Sequence, residues 1–327
     1  MEIILQTILL IVGFIILIKG ADWLIDGASS AASHFKVSKM LIGLTIIAFG
    51  TGAPELAVSI SSLINGTTDM LLGNVIGSNI TNILLLIGIG ALIFPIKIKK
   101  DTISKELPLL LLISTILIVL FLDTLLMNAE GNTISRSDGI ICLLFFSIFL
   151  FYIISMAHKN RKAKKEVEKP KFKLSISLLL VLIGLTGVVG GAELVVSSAS
   201  FIAKSIGVSD RVIALTIVAL GTSLPELITT IKAAKKRETE ILVGNIIGSN
   251  IFNICIVLGL PVALFGTITP ESFEIIDIIM LIGSAAILWL VAKSGHKITR
   301  FEGAAMLIMF LIYYGFIIYG ALNGAAI

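Results

Sequence analysis

Charged residues are scarce in this chain of 327 residues, and cysteines are scarcer still. Charged side chains make up 14% of the sequence, whereas soluble globular domains carry about 25%. Hydrophobic residues reach 57%, so the polar residues are too few to cover a water-exposed surface. The two cysteines, Cys142 and Cys255, both lie inside apolar runs. The composition therefore excludes a soluble domain and a disulfide-based scaffold, and it predicts a protein that has lipid as its solvent.

Signatures of catalysis are also missing from the apolar segments. They contain no HExxH pair, no phosphate-binding glycine loop and no Ser-His-Asp arrangement. The three histidines, His34, His158 and His296, fall in or near the predicted loops. We therefore predict that the chain is not an enzyme and that it requires no cofactor.

Apolar runs long enough to cross a bilayer as helices occur ten times. A helix needs roughly 20 apolar residues to span the hydrocarbon core. The predicted spans are residues 3–18, 41–64, 70–94, 107–122, 140–156, 174–196, 212–231, 241–265, 275–291 and 304–319. The sequence thus predicts an all-α integral membrane protein with ten transmembrane helices.

The distribution of basic residues predicts how the chain is oriented. Nearly all of the 25 lysines and arginines lie in alternate loops, and the largest group falls within residues 158–173. Loops rich in Lys and Arg stay in the cytoplasm. We therefore expect the 158–173 linker to be cytoplasmic and both termini to be extracellular, in a multi-pass protein of the cell membrane. The net charge of +4 follows from this topology and does not indicate nucleic-acid binding.

The sequence repeats itself with a shift of 171 residues. Residues 42–56 align with 213–227, and residues 73–82 align with 244–253 without a gap. Each copy holds five predicted spans, and five is an odd number, so the second copy enters the bilayer in the opposite orientation. Inverted repeats are typical of secondary transporters. We predict two inverted five-helix repeats, residues 1–157 and 174–327, joined by the basic linker 158–173.

Each repeat places a glutamate in the middle of its second span. Glu55 ends the segment GTGAPE at 50–55, and Glu226 ends GTSLPE at 221–226. Charged residues at this depth are costly and mark functional sites. The glycines and prolines break the helix, so the carbonyls of Ala48 and Ala219 are candidates for binding a cation.

Further polar residues occupy the third span of each repeat. They are Ser78 and Asn82 in the first repeat and Ser249 and Asn253 in the second. Such hydroxyl and amide oxygens, like carboxylates, suit Na⁺ and Ca²⁺. Two carboxylates brought close together also repel unless a cation lies between them. Glycines at 73, 77, 244 and 248 are predicted to let the helices approach closely.

The paired GTxxPE and GNxxGSNxxN segments resemble the two alpha-repeats of the cation/calcium exchanger superfamily, and within it the prokaryotic calcium/sodium antiporters. The resemblance implies alternating access, with Na⁺ entry driving Ca²⁺ out of the cell. It also implies that Glu55 and Glu226 coordinate Ca²⁺. The residues that it assigns to the Na⁺ sites are Thr51, Ser78, Thr222, Ser223 and Ser249, with the carbonyls of Ala48 and Ala219.

The sequence departs from the family pattern at two positions. Gly52 lies where the family commonly has serine, which removes one hydroxyl ligand. Asn253 lies where many members have aspartate, which makes K⁺ cotransport less favoured. Two alternatives stay open from the residues alone, a Ca²⁺/H⁺ antiporter that uses the same glutamates and a cation channel. Dependence on a counter-ion gradient distinguishes the three.

Overall fold

The chain folds almost entirely into helices. The computed structural model describes residues 2–124, 131–162, 169–206, 219–269 and 275–322. The helices are α1 Glu2–Phe35, α2 Lys39–Thr51, α3 Ala53–Ile64, α4 Thr68–Ile93, α5 Thr102–Phe121, α6 Arg136–Lys162, α7 Leu174–Ser205, α8 Ala219–Thr222, α9 Leu224–Lys235, α10 Thr239–Phe265, α11 Ile275–Gly295 and α12 Arg300–Leu322. Two short strands, β1 Ile96–Lys97 and β2 Lys297–Ile298, pair antiparallel.

The helices confirm a multi-span membrane protein. Within the described residues, eight helices are long and apolar enough to cross a membrane, and the bent pair α2 and α3 makes nine. The predicted span at 212–231 begins in residues 207–218, which lie outside the described residues. The number of ten spans therefore stays a prediction.

Two compact units make up the chain, and each draws on both halves of the sequence. The first comprises Met1–Pro54 and Met156–Asn245, and the second comprises Glu55–Ser155 and Ile246–Ile327. These units are not the predicted repeats, which divide the chain at the linker. Two of the three boundaries fall inside the polar motifs, between Pro54 and Glu55 and between Asn245 and Ile246.

In the first unit, α1 packs against α7 along a line of glycines. Gly13, Gly20 and Gly27 recur every seven residues on α1, and Gly184 and Gly191 do so on α7. A Cβ built on Gly184 would lie 2.5 Å from the backbone nitrogen of Leu24, and one on Gly191 would lie 2.6 Å from that of Leu17. Small residues let helices in lipid approach backbone to backbone. Gly13 lies near residues 191–195 and Gly27 near 177–181, so the two helices run antiparallel.

Ion pairs join α1 to α9 at one end of the first unit. Lys232 contacts Asp22 at 2.8 Å, and Lys236 contacts Asp26 at 3.1 Å and Asp22 at 3.5 Å. Lys171 reaches Asp26 at 3.5 Å. These side chains are partly exposed.

The end of the linker is attached to α1 in the same region. The Phe172 N–H donates to Ser30 Oγ at 3.1 Å, and the Phe172 carbonyl lies 2.6 Å from His34 Nε2. Ser177 Oγ, in the first turn of α7, donates to Ser30 Oγ at 2.8 Å. Three groups on either side of the start of α7 are therefore bonded to one turn of α1.

In the second unit, an acidic side chain near the start of a span accepts a hydrogen bond from a tyrosine on another span in two places. The Tyr152 hydroxyl on α6 donates to Glu106 on α5, and the Tyr313 hydroxyl on α12 donates to Asp277 on α11 at 2.6 Å. Glu106 and Asp277 are 171 residues apart, so they are equivalent under the internal repeat. Each phenol thus donates a hydrogen bond to a carboxylate, which the surrounding lipid could not do.

We predict that Gly191→Ala destabilises the chain, whereas Gly190→Ala does not. The methyl group at 191 meets the backbone of Leu17, whereas no described heavy atom lies within 4 Å of the position at 190. Overpacking of this kind costs about 1–3 kcal/mol, and Gly190→Ala gains about 1 kcal/mol in helix propensity. Thermal unfolding of both purified variants in detergent would measure the difference, and equal midpoints would contradict the packing described for α1 and α7.

Candidate functional site

Each polar motif lies where two helices meet at a break. The helices α2 and α3 are bent by 43° at Gly52, and Ser223 separates α8 from α9. Pro54 and Pro225 follow within two residues. Proline has no N–H to donate to the previous turn and is well tolerated in the first turn of a helix. The predicted helix breaks are therefore present, and each places its glutamate in the first turn of the following helix.

The two break residues share one backbone conformation. Gly52 has φ −79° and ψ 2°, and Ser223 has φ −88° and ψ 2°. A residue with a side chain adopts these angles without strain. Glycine at position 52 is thus not required by the backbone, and its effect is the absence of a hydroxyl.

In the first unit, the second-repeat glutamate lies in a small polar cluster. Glu226 is 1% exposed, and Thr51 is its hydrogen-bonding neighbour. The Thr51 hydroxyl donates to the Ile47 carbonyl at 3.0 Å and lies 3.5 Å from Asn245 Oδ1. The single Thr51 hydrogen cannot be donated to the Ile47 carbonyl, Asn245 Oδ1 and the Glu226 carboxylate at the same time, so the hydroxyl lies among three acceptors. Its role as a cation ligand stays a prediction.

Glycines determine how closely α2 approaches α10 beside this cluster. A Cβ on Gly43 would lie 2.6 Å from the Ile241 carbonyl, and one on Gly244 would lie 2.5 Å from the Met40 carbonyl. The close contact between these helices holds Thr51 next to Asn245. The prediction for Gly244 is thus confirmed. For Gly73 and Gly77, no atom of the described residues lies within 4 Å of an added Cβ, so close packing there is not seen.

The other first-unit candidates have less defined surroundings. The Ala48 carbonyl accepts from the Gly52 N–H at 3.0 Å, so it keeps its helical hydrogen bond. Ala219 begins α8, and its side chain lies outside the described residues. Thr222 is half-buried and Ser223 is buried. The Na⁺-binding roles of these four residues stay predictions.

In the second unit, Glu55 is 2% exposed and lies in the first turn of α3, a helix with both polar and apolar residues. Its backbone carbonyl accepts from Asn74 Nδ2 on α4 at 3.4 Å. Ser78, one turn further along α4, and Ser249 on α10 are also buried. Two helices thus bring hydroxyl groups to this unit, at positions equivalent under the repeat.

A chain of asparagines connects α4 to α10. Asn82 Nδ2 donates to Asn250 Oδ1 at 2.9 Å, and Asn250 Nδ2 donates to the Asn79 carbonyl at 3.3 Å. Asn82 and Asn253 both lie in π-helical segments, Thr81–Leu86 and Asn253–Leu258. Such widened turns are frequent at functional sites.

Several buried polar atoms in both units lack a hydrogen-bond partner among the described residues. They include Glu226 Oε2, Asn245 Nδ2, Ser249 Oγ, Asn82 Oδ1 and Asn253 Oδ1. Buried polar groups are rarely left unsatisfied without a reason. Most of these atoms are oxygens, the hard ligands that Na⁺ and Ca²⁺ prefer. Within the described residues there is no cluster of three or more His, Cys, Asp or Glu.

The structure therefore divides the predicted site residues between the two units. Ala48, Thr51, Ala219, Thr222, Ser223 and Glu226 belong to the first, and Glu55, Ser78, Asn82, Ser249 and Asn253 belong to the second. Thr51 meets Glu226 within its unit, and the pairing of Glu55 with Glu226 stays a prediction. Sequence reasoning did not assign a bridging role to Asn250. Its repeat partner Asn79 offered the signal, because both occupy the same place in GSNxxN.

Comparison with known proteins identifies the family. A family model described as sodium/calcium exchanger protein matches residues 5–155 and 176–319. The chain belongs to the sodium/calcium exchanger family. The sequence resemblance is thereby confirmed.

Relatives of this family member are found in bacteria and archaea. The inner membrane protein YrbG of Escherichia coli (strain K12) is 36% identical over 83% of this chain and 83% of its own length. The sodium/calcium exchanger MaX1 of Methanosarcina acetivorans is 29% identical over 94% of this chain and 96% of its own. A solved structure of the sodium-calcium exchanger NCX_Mj, soaked with Na⁺ and Sr²⁺, is 35% identical, with a TM-score of 0.82 over 95% of this chain and 97% of that one.

We predict that Asn82 and Asn250 stabilise this exchanger-family fold as a pair. Asn250→Ala removes the acceptor of Asn82, and a buried amide left without its partner costs about 1–3 kcal/mol. In a double-mutant cycle of thermal unfolding, Asn82→Ala and Asn250→Ala should show a coupling of at least about 0.5 kcal/mol. Asn82→Ala combined with Ser114→Ala, which shares no hydrogen-bond partner with it, is the additive control. Additivity of the asparagine pair would rule out the connection.

Proposed function

We propose that the protein is a secondary antiporter that exchanges Na⁺ for Ca²⁺ by alternating access and normally extrudes Ca²⁺ from the cell. Membership of the exchanger family supports cation/Ca²⁺ antiport. The similarity to NCX_Mj, a sodium-calcium exchanger studied with Na⁺ and Sr²⁺, favours Na⁺ as the counter-ion.

The observation that carries the proposal is the pair of buried glutamates at equivalent positions of the repeat. Glu55 is 2% exposed and Glu226 is 1% exposed. Each lies in the first turn of the helix that follows a break. A fully buried carboxylate is expensive unless an opposite charge compensates it. We assign Ca²⁺ coordination to each of these two carboxylates, as the family resemblance implies. Thr51, Ser78, Thr222, Ser223, Ser249, Asn82 and Asn253, with the carbonyls of Ala48 and Ala219, complete the Ca²⁺ and Na⁺ sites.

The proposed architecture is ten spans in two inverted repeats, residues 1–157 and 174–327. The antiparallel packing of α1 against α7, which are equivalent helices of the two repeats, supports the inversion. The lysine-rich loops support a cytoplasmic linker at 158–173 and extracellular termini in the cell membrane. Neither arrangement depends on how the two compact units are related.

Uptake of Ca²⁺ into vesicles under imposed gradients tests the proposal. A Na⁺ gradient should drive Ca²⁺ against its own gradient, and a proton gradient alone should not. Coupling to protons only would replace Na⁺ by H⁺ as the counter-ion. Ca²⁺ flux that needs neither gradient would identify a channel instead.

We predict that Glu55→Gln and Glu226→Gln each abolish Ca²⁺ transport. Each substitution keeps the shape of the side chain and removes half of the negative charge available to a divalent ion. The measurement is Na⁺-driven ⁴⁵Ca²⁺ flux in proteoliposomes. Asp69→Asn, which removes a carboxylate from the first turn of α4, is the matched control. Near-normal flux in either glutamine variant would disprove the site assignment.

We predict that Gly52→Ser increases the apparent Na⁺ affinity while leaving that for Ca²⁺ almost unchanged. Ser223 has almost the same backbone angles as Gly52, so the backbone accepts a serine. A gain of about 1.4 kcal/mol would change the site affinity tenfold. Ca²⁺ depends chiefly on the glutamates and should respond less. The measurement is the Na⁺ midpoint of Ca²⁺ flux, titrated at fixed Ca²⁺. The variant Gly52→Ala is the control that adds a side chain without a hydroxyl. The same Na⁺ midpoint in serine variant and wild type would show that position 52 does not border a Na⁺ site.

A further inference from the structure

The helices that follow the two breaks bury polar faces rather than apolar ones. The buried residues of α3 are Glu55, Ser59 and Ser62. Their spacing, i, i+4 and i+7, places them on one helix face. Non-helical or polar surface inside a membrane protein is tolerated where protein or water covers it. The glutamate is therefore the first member of a polar line along α3.

A polar line of the same kind begins at Glu226 on α9. Its buried residues include Glu226, Thr229 and Thr230 and end in Ala233 and Ala234. Thr230 is the repeat partner of Ser59, since the two are 171 residues apart and each lies four residues after its glutamate. Four residues correspond to a rise of about 6 Å along the helix. Both copies of the repeat thus place a hydroxyl one turn beyond the carboxylate.

These two hydroxyls differ from most others in the helices of this protein. A buried Ser or Thr in a helix usually donates to the carbonyl four residues earlier, as Thr51, Ser114 and Thr229 do at 3.0, 2.9 and 2.8 Å. Ser59 is 0% and Thr230 is 1% exposed, yet neither hydroxyl has a hydrogen-bond partner among the described residues.

A local cause explains why the usual bond is missing. The carbonyl four residues before Ser59 is that of Glu55, which accepts from Asn74 Nδ2 at 3.4 Å. The carbonyl four residues before Thr230 is that of Glu226, which accepts from Thr229 Oγ1 at 3.0 Å. In both helices another side chain contacts the carbonyl that the hydroxyl would otherwise use. The Ser59 and Thr230 oxygens are thereby left for a partner that is not part of their own helix.

We infer that Ser59 and Thr230 are additional cation ligands, each of which holds a Na⁺ ion one turn beyond its glutamate on the path to or from the transport site. This inference rests on the proposed function, because it assumes that Glu55 and Glu226 bind the transported ions. A neutral hydroxyl oxygen is a suitable ligand for a monovalent, partly hydrated cation. It would hold the ion weakly enough to release it.

In the predicted topology, Ser59 and Thr230 lie toward opposite faces of the membrane. The helix α3 leads from Glu55 toward residues 65–67, in a predicted extracellular loop. The helix α9 leads from Glu226 toward Lys235 and Lys236, in a predicted cytoplasmic loop. Ser59 therefore acts on ions at the extracellular face, and Thr230 acts on ions at the cytoplasmic face.

Sided flux measurements test the inference. Ser59→Ala should raise the half-saturating Na⁺ concentration about twofold to tenfold at the extracellular face, the effect of losing one neutral oxygen contact. Thr230→Val should do so at the cytoplasmic face. Ser59→Thr and Thr230→Ser keep the hydroxyl and should retain wild-type values. Ser114→Ala is the matched control, because this serine is equally buried but bonded to its own helix.

A labelling experiment provides a readout that does not depend on transport. Ser59 is 0% exposed in this structure, so in Ser59→Cys the thiol should react with a water-soluble reagent added from outside only when the outer path opens, and Na⁺ should slow that reaction. The wild-type chain, whose two cysteines are buried, gives the background rate. A labelling rate that Na⁺ does not change would overturn the assignment of Ser59.

The outcomes separate this inference from the proposed function. Loss of exchange in Glu55→Gln and Glu226→Gln, together with Ser59→Ala and Thr230→Val values equal to those of Ser114→Ala, would overturn the inference alone. Normal exchange in the glutamine variants would overturn the proposed function and, with it, the inference.

Discussion

Placing a carboxylate inside a protein that has lipid around it is the constraint from which the other features follow. Glu55 and Glu226 are almost fully buried, and a buried charge is tolerated only with compensating charge or hydrogen bonds. The helix breaks, the buried hydroxyls and the asparagines supply oxygens around them without adding further charge. Under the proposed function, such a site can release its cations again because most of its ligands are individually weak.

Glycine residues meet a second requirement. Polar side chains on different helices must be held at short distances from one another. In lipid there is no hydrophobic drive between helices, so close packing must hold them together. Gly43 and Gly244 bring α2 against α10 beside Thr51, and Gly184 and Gly191 bring α7 against α1. The backbone departs from a regular α-helix at the breaks at Gly52 and Ser223 and in π-helical segments such as Thr81–Leu86 and Asn253–Leu258.

The sequence predicted the helical membrane class, the family and the helix breaks, because hydropathy, motif spacing and proline chemistry are local properties. The equivalence of Glu55 and Glu226 also followed from the repeat, whereas their positions in the first turn of a helix came from the structure. The bond between Asn82 and Asn250 could not be predicted, since it depends on how two distant helices pack. The glycine heptads on α1 and α7 were visible in the sequence, but their meaning depended on knowing which helices are neighbours. The free hydroxyls of Ser59 and Thr230 likewise depend on which donors occupy the carbonyls of Glu55 and Glu226.

The attachment of α1 to the start of α7 has a consequence for biosynthesis. The partners of Ser30 and His34 lie about 140 residues later in the chain, and the glycine face of α1 packs against residues 177–195. A ribosome adds about 5–20 residues per second, so α1 waits on the order of ten to thirty seconds in the membrane before α7 is made. During that interval its closest-packing surface faces lipid or a membrane chaperone. The first helix to be inserted thus acquires this native partner only after the described helices α2 to α6 have been made.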